Sequence, residues 1–469
     1  MKLNIKVSNF GKIKSADLQI RPFTVIAGKN SSGKSFVTKA LYSFFSTINK
    51  DFVTAEAIKS VSAINARIGM VFYTVRLSIE EEQLISEMLH TCQDLHQMIL
   101  QRYGENTFSN QLEGSVYLTK VTKSIRDSLQ MVVNIMSPKK KYEKIRLDVD
   151  GIAFELKHLD QIFEKPVSLM VSKIQKEFTE SLKENFQMTS LASLRNFECP
   201  AEKNPEFEIE AIGTISIEGE TVNFSLQRDG IDLLQDFSSI VYLESPIYWR
   251  LKNTLERAKD ASKINFIMRH KKQDGLLGVP RHFYDLVDLL KERLKTNLRS
   301  NDFKDVIDKI NTSIGGEVLI TQSGDISYRE KSSGNELNLH TTATGVVNLG
   351  IISLLIERNI ISRGSYIFID EPEVNLHPAW QKLMVEALYE LSRNGINIVI
   401  ATHSIDMMKC IEGIVNSLPP EKVVDHFGIN QLSSEGNSVD IGEYPPKRIA
   451  SIKYDLGESF YNMQMDGGW

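Results

Sequence analysis

Two short stretches carry residues whose types and spacing suit work on a phosphoryl group. Gly28-Lys29-Asn30-Ser31-Ser32-Gly33-Lys34-Ser35 fits the spacing G-x-x-x-x-G-K-[ST]. In such a loop the backbone N–H groups of Gly28, Asn30, Ser31, Ser32 and Gly33 wrap phosphate oxygens, and glycine permits the close approach. Lys34 would reach the β- and γ-phosphates, and the Ser35 hydroxyl would hold Mg2+. The second stretch is SYIFIDEPEVNLHP, Ser365 to Pro378. Its apolar run, Tyr366 to Ile369, ends in the adjacent acids Asp370 and Glu371. Two carboxylates at the end of a buried strand are costly unless a cation or a reacting water uses them. Asp370 would hold Mg2+ through water, and Glu371 would polarise the attacking water as general base. Together the two stretches predict nucleotide hydrolysis.

A third position follows. Ile396 to Thr402 is another apolar run, and it ends at His403. A lone histidine is more often structural than functional. This one closes a core strand, where a γ-phosphate would lie if that strand neighbours the one ending in Asp370. We read His403 as a γ-phosphate sensor.

The elements that must position these groups are legible around them. Leu3, Ile5 and Val7 alternate with polar residues, Asn9-Phe10-Gly11 turns, and Ala16 to Ile20 returns as a second strand. Phe23 to Ala27 is a third strand that runs into the glycine loop, and Phe36, Val37, Ala40, Leu41, Phe44 and Phe45 then recur at helical period. Strand, glycine loop, helix is the context a phosphate loop requires. Lys34 and Asp370 stand 336 residues apart, more than a compact GTPase or kinase core needs. The chain must leave the nucleotide fold and return. We expect residues 1–49 as the first part of that fold, 50–205 as a helical insertion, 206–246 as a β-subdomain, 247–315 as a second helical insertion and 316–469 as the remainder.

Within the first insertion, Glu81–Gln101, Val121–Ile135 and Phe163–Phe186 are expected helices, without a sustained heptad run. Lys139-Lys140-Lys141, with Lys144 and Arg146, forms a basic cluster: a solvated face, or a site for an acidic partner. A second basic group is Arg269-His270-Lys271-Lys272. Strands are expected at Phe207–Ile212, Thr214–Ile217, Val222–Leu226 and Ile240–Leu243, with a hairpin of Glu317–Thr321 and Ile326–Arg329.

The 469 residues carry 42% hydrophobic and 25% charged side chains, which suits a soluble protein with a sizeable core. The net charge of −5 argues against wholesale coating of nucleic acid. Cys92, Cys199 and Cys410 stand in no metal-binding spacing and read as reduced thiols of a cytoplasmic protein. No apolar run reaches the roughly 18 residues of a membrane span.

DEPEVNLHP followed by a strand ending in Thr402-His403-Ser404 resembles the ABC-type ATPase head of the OLD, RecF and SMC-like group. The likeness covers roughly residues 1–48, 206–245 and 316–410. It implies an α/β fold: a P-loop ATPase head with a mixed sheet and an antiparallel β-subdomain, carrying helical insertions, with ATP and Mg2+ as ligands. In that group a glycine signature precedes the second carboxylate strand. The matching segment is Thr341 to Gly350, with Ala343-Thr344-Gly345 where Ser-Gly-Gly would stand in transporters. The resemblance implies that Thr344 and Gly345 touch the γ-phosphate of ATP held by a second copy, and that Val374 to His377 crosses the interface. Activity would then need a head-to-head dimer or a higher homo-oligomer.

OLD-family nucleases carry a metal-dependent nuclease domain after the head. Only 66 residues follow His403, expected to form a strand pair near Val423–Ile429 and Val439–Ile441 and a helix near Arg448–Tyr454. The expectation is therefore an ATPase without an effector of its own. It is similar to the stand-alone ATPase components of bacterial anti-phage systems of the PARIS and Septu kinds. A separately encoded effector, a nuclease above all, and a nucleic-acid or phage-protein trigger are the implied partners. The alternatives are a DNA-repair ATPase that clamps DNA directly and a structural oligomer reset by hydrolysis.

Overall fold

The computed structural model describes residues 2–103, 108–200, 202–269, 278–296, 303–322, 324–442 and 444–466. Residues 270–272 of the second basic group lie outside them. In chain order, β1 (Leu3–Phe10), β2 (Ile13–Ile20) and β3 (Phe23–Ala27) lead into α1 (Lys34–Ile48). Helices α2 (Phe52–Thr74), α3 (Ile79–Met98), α4 (Phe108–Met136), α5 (Tyr142–Glu164) and α6 (Pro166–Phe186) follow. Next come β4 (Glu206–Ile209), β5 (Gly213–Glu218), β6 (Thr221–Leu226), α7 (Arg228–Gln235) and β7 (Ile240–Leu243). Helices α8 (Ile247–Arg269), α9 (Arg281–Thr296) and α10 (Lys304–Ile314) precede β8 (Gly316–Ile320), β9 (Ile326–Glu330) and β10 (Glu336–Asn338). The last stretch runs α11 (Thr344–Glu357), β11 (Tyr366–Asp370), α12 (Pro378–Arg393), β12 (Asn397–Thr402), α13 (Ile405–Asn416), α14 (Pro420–His426), β13 (Phe427–Gln431) and α15 (Pro445–Asp466).

Packing divides the chain into two compact units. One holds Met1–Thr47, Phe178–Leu226 and Phe237–Trp469; the other holds Ile48–Glu177 and Gln227–Asp236. Residues 178–205 and 247–315 therefore share a unit with the strands, while 227–236 falls with the inserted helices.

The first unit is built on a parallel sheet of order β13-β3-β12-β11-β7. Strands covered on both faces read as continuous apolar runs. Accordingly, Phe23–Ala27 and Asn397–Thr402 are buried at every position. β12 pairs with both β3 and β11, with Thr402 opposite Ala27 and Ala401 opposite Asp370. The strand of His403 thus lies between the strand of the glycine loop and the strand of Asp370. A second sheet, β2-β1-β4-β5-β6, is antiparallel. β1 alternates buried and exposed side chains, as one covered face requires. β8, β9 and β10 form a small third sheet.

Several expectations are corrected. Ile240–Leu243 does not extend the β-subdomain: as β7 it pairs in parallel with β11, with Leu243 opposite Ile369. Val439–Ile441 is no strand; Val439 N donates to Gln431 O at 3.0 Å beside one isolated bridge, Leu432 to Ser438. Val423 lies in α14, because Pro420 fits a first helical turn, and the strand starts only at Phe427. Phe163–Phe186 is not one helix. α5 ends at Glu164 and α6 restarts at Pro166, whose missing N–H is tolerated only in a first turn.

The second unit is helical. α2 buries Val53, Ala57, Val61, Ile64, Ile68 and Val71, and α5 buries Ile145, Val149, Ile152, Leu156, Leu159 and Ile162. The basic cluster is put to internal use here. Lys139 Nζ lies 2.6 Å from Glu81 Oε1, Lys141 pairs with Glu81 Oε2, and the Glu81 side chain is buried. Two of the three lysines read as a solvated face or partner site instead neutralise a buried acid.

Candidate functional site

The phosphate loop and α1 are set by local backbone needs. Ser31 and Gly33 have φ of 62° and 96°, so the loop turns through left-handed positions that glycine meets at no steric cost. A Cβ on Gly28 would lie 2.4 Å from Leu432 O, so that glycine is required by packing as well. Lys34 is buried, and its Nζ donates to Gly28 O and Lys29 O, both at 2.9 Å. Burial lowers its pKa, opposed by the charges of Glu371, Asp370 and Glu373. Lys29 is tied to α15 through Asp455 at 3.0 Å and Glu458 at 2.9 Å. Ser32 Oγ is buried without a partner among the described residues, whereas Asn30 and Ser31 are exposed.

Asp370 ends β11 beside this loop. Burial pushes its carboxyl up to about 6, against a hydrogen bond from Ser35. Its Oδ1 is buried and has no partner among the described residues. A hydroxyl and an unsatisfied buried carboxylate oxygen, side by side, fit a hard divalent cation that takes its other oxygens from phosphate and water. No group of three or more His, Cys, Asp and Glu side chains suited to a metal occurs among the described residues. Ser35 and Asp370 are thus the donors on hand.

Glu371 has φ of 50° and precedes Pro372, two conditions that disfavour each other, at a cost of roughly 1–3 kcal/mol. Its N–H donates to Ala401 O at 2.9 Å, and its carbonyl accepts from Val374 N at 3.0 Å. The turn brings its carboxylate to β12: His403 Nδ1 lies 3.4 Å from Glu371 Oε1 and 3.2 Å from Glu373 Oε1. Lys34, Ser35, Asp370, Glu371 and His403 therefore belong to one end of the parallel sheet. Thr344 and Gly345 start α11 and line a separate hollow of about 370 Å³ with Ala343, Asn375, His377 and Trp380. A Cβ on Gly345 would lie 2.7 Å from Asn375 O and 3.1 Å from the Trp380 ring, so its missing side chain serves the subunit's own packing.

Four residues of this neighbourhood escape sequence reasoning: Glu373, Lys39, Glu244 and His282. Glu244 directly follows the apolar β7, as Asp370 follows β11, and that pattern was a usable signal. Lys39 Nζ and His282 Nε2 lie 2.7 and 3.0 Å from its two oxygens. Asn185 links this network to α1, donating to Ser43 Oγ at 2.9 Å and accepting from His282 N at 2.9 Å.

The sequence matches the AAA ATPase domain family over residues 1–408, and the chain belongs to that family. Over 86 residues it is 29% identical to the energy-coupling factor transporter ATP-binding protein EcfA of Methanococcus maripaludis, covering 18% of this chain. The match spans 31% of that relative's length. Among solved structures it is similar to an Smc head bound to the C-winged helix domain of ScpA, at 12% identity and a TM-score of 0.40, covering 93% of this chain and 95% of that one. A Pyrococcus furiosus Smc head with an extended coiled coil, bound to the C-terminal domain of ScpA, is similar at 12% identity and a TM-score of 0.38, covering 93% and 94%. Among the described residues no helix is long and apolar enough to cross a membrane.

Proposed function

We propose that this protein binds ATP and hydrolyses it as an ABC-type head, in sites completed by a second copy. The observation that carries the reading is the convergence of Lys34, Ser35, Asp370, Glu371 and His403 on one end of a parallel sheet whose order is glycine-loop strand, histidine strand, carboxylate strand. In this reading the loop N–H groups and Lys34 hold the phosphates, and Ser35 and Asp370 hold Mg2+. The ion would supply charge neutralisation at the phosphates when bound. Glu371 takes the proton of the attacking water, and His403 faces the terminal phosphate. Thr344 and Gly345 serve the ATP of the partner copy.

The hydrolysis cycle acts as a sensor or scaffold for a separately encoded effector, a nuclease, in anti-phage defence. Support for this finer role is the DEPEVNLHP form and its likeness to stand-alone ATPase components. Phosphate release measured with and without Mg2+, on wild type and Glu371→Gln, tests the chemistry. The variant is expected to keep ATP binding and to turn over roughly 10²–10⁴-fold more slowly. Near wild-type turnover would remove Glu371 as base. Mass measurement of the complex isolated from its native cells tests the partner. A co-purifying nuclease supports the sensor role, and bound DNA without one supports a DNA clamp.

A further inference from the structure

Glu373 has no part in the roles above, yet it is far more enclosed than its neighbours. Its side chain is 6% exposed, while those of Glu371 and His403 are 41% and 38% exposed. A carboxylate so buried is costly unless its charge and lone pairs are used. Its Oε1 accepts from Thr402 Oγ1 at 2.8 Å and from His403 N at 2.9 Å. The same oxygen lies 3.2 Å from His403 Nδ1, out of line for a hydrogen bond. Its Oε2 is buried without a partner among the described residues.

The turn that carries Glu373 is itself pinned. Asn348 Nδ2, on α11, donates to Pro372 O at 3.2 Å and reaches Val374 O at 3.4 Å. Glu373 is therefore held from the helix that begins with Thr344, and it grips the last residue of β12 and the residue after it.

We propose that Glu373 is the positioning residue for His403. As acceptor it fixes the backbone where β12 ends. As a charge it faces Nδ1, together with the more exposed Glu371 Oε1 at 3.4 Å, and so turns the ring to offer Nε2 to the terminal phosphate. In metal-ligating histidines a carboxylate at the other ring nitrogen fixes the ring, and its loss typically costs about 10–100-fold. Here the carboxylate stands 3.2 Å from Nδ1 as a charge rather than as a hydrogen-bond acceptor, so the lower end of that range is expected. The inference rests on the reading of His403 as the group that faces the terminal phosphate.

Glu373→Gln separates the two effects, since the amide oxygen can still accept from Thr402 and His403 N while the charge is gone. We would measure kcat, together with the affinities for ATP and ADP, in the full-length wild type, Glu373→Gln, His403→Ala and the double variant. Glu373→Gln is expected to lower kcat about 10-fold and to narrow the preference for ATP over ADP. The double variant should behave as His403→Ala alone. Wild-type values for Glu373→Gln, or losses that multiply in the double variant, overturn the proposal. Glu373→Asp keeps the charge at shorter reach and should fall between wild type and Gln; if the Gln variant does not fold, unchanged values for Asp overturn the proposal. If wild type binds ATP without turnover, hydrolysis fails as a function, and the ATP-over-ADP preference in the same variants still decides Glu373. A wild type with no such preference overturns the role of Glu373 too.

Discussion

Lys39 Nζ, on the helix that follows the phosphate loop, lies 2.7 Å from Glu244 Oε1, at the end of the strand next to Asp370. Two acids thus end adjacent strands in opposite circumstances. Burial works against an ionised Glu244, but His282 and Lys39 hold its carboxyl at about 2. Asp370 has hydroxyls, those of Ser35 and Tyr242, and the more distant charges of Lys39 and Lys34 against its burial, and its carboxyl rises to about 6. The protein keeps one acid charged with its own cation and leaves the other in need of one.

A stability prediction follows for Asp370. Because its folded pKa is raised, ionisation opposes folding when no cation is bound. The penalty is absent below about pH 4, grows as pH rises through 6 and is complete above that. A shift from 3.8 to about 6 corresponds to a penalty on the order of 3 kcal/mol. Asp370→Asn is expected to raise the melting temperature of the nucleotide-free protein at pH 8 and to raise it only about a third as much at pH 4.5. It should also lose the added stability that wild type gains from Mg2+ with nucleotide. Thermal melts across this pH range check both, and a variant less stable than wild type at pH 8 would refute the assignment.

Lys34 should govern phosphate affinity. Its ammonium rests on two loop carbonyls, Gly28 and Lys29, and is poised to exchange them for phosphate oxygens. Hydrogen bonds to a charged partner contribute roughly 1.5–3 kcal/mol. Lys34→Ala should therefore weaken ATP binding by about 10-fold or more while leaving AMP binding unchanged. Calorimetric titration decides; equal ATP affinity for both proteins would end the phosphate-loop reading.

The basic cluster calls for a folding test rather than a binding test. Lys139 and Lys141 hold Glu81, whose carboxylate also accepts from Ser78 N at 2.7 Å in the cap of α3. Removing the partners of a buried charge typically costs about 3–5 kcal/mol. The double change Lys139→Glu with Lys141→Glu should unfold or strongly destabilise the helical unit. Lys140→Glu, on an exposed side chain, should leave the melt within about 0.5 kcal/mol of wild type. Equal melts for the two variants would show that Glu81 does not depend on these lysines.

Legibility in the sequence followed the range of the interactions involved. The strands around Ile5, Val25, Phe368 and Val399 were readable because a buried parallel strand needs an apolar run and a half-covered strand needs alternation. The loop at Lys34 and the acids at Asp370 were readable because their chemistry is packed into a few consecutive residues. Glu81 with Lys139 and Lys141, or Glu244 with Lys39 and His282, are pairs made only when distant segments meet, and no local pattern announces them. Glu373 was hidden differently. It stands in plain view two residues after Glu371, but its role depends on the left-handed turn at Glu371 that folds it back to β12. Pro166 was the reverse case: a local signal, present in the sequence, that was overridden by the helical period on either side of it.

The last prediction concerns paired heads. Thr344 and Gly345 line a hollow with Asn375, His377 and Trp380 that contains none of the phosphate-loop residues. If this hollow receives ATP from a second copy, each composite site takes its loop from one subunit and its Thr344 from the other. Gly345 is a poor probe, because any side chain there would strike Asn375 O and Trp380 within its own subunit. Thr344 is half-buried at the first position of α11, so Thr344→Arg puts bulk into the hollow without entering that packing. Alone, Thr344→Arg is expected to bind ATP as wild type does and to hydrolyse it poorly. Lys34→Ala should fail to bind. Mixing the two inactive proteins then discriminates. A mixed pair has one composite site with both lesions and one with neither, so part of the activity should return, rising with the fraction of mixed pairs shown by mass measurement. A fully active Thr344→Arg monomer at high dilution, or no recovery with mixed pairs present, would count against sites that are shared and able to fire singly.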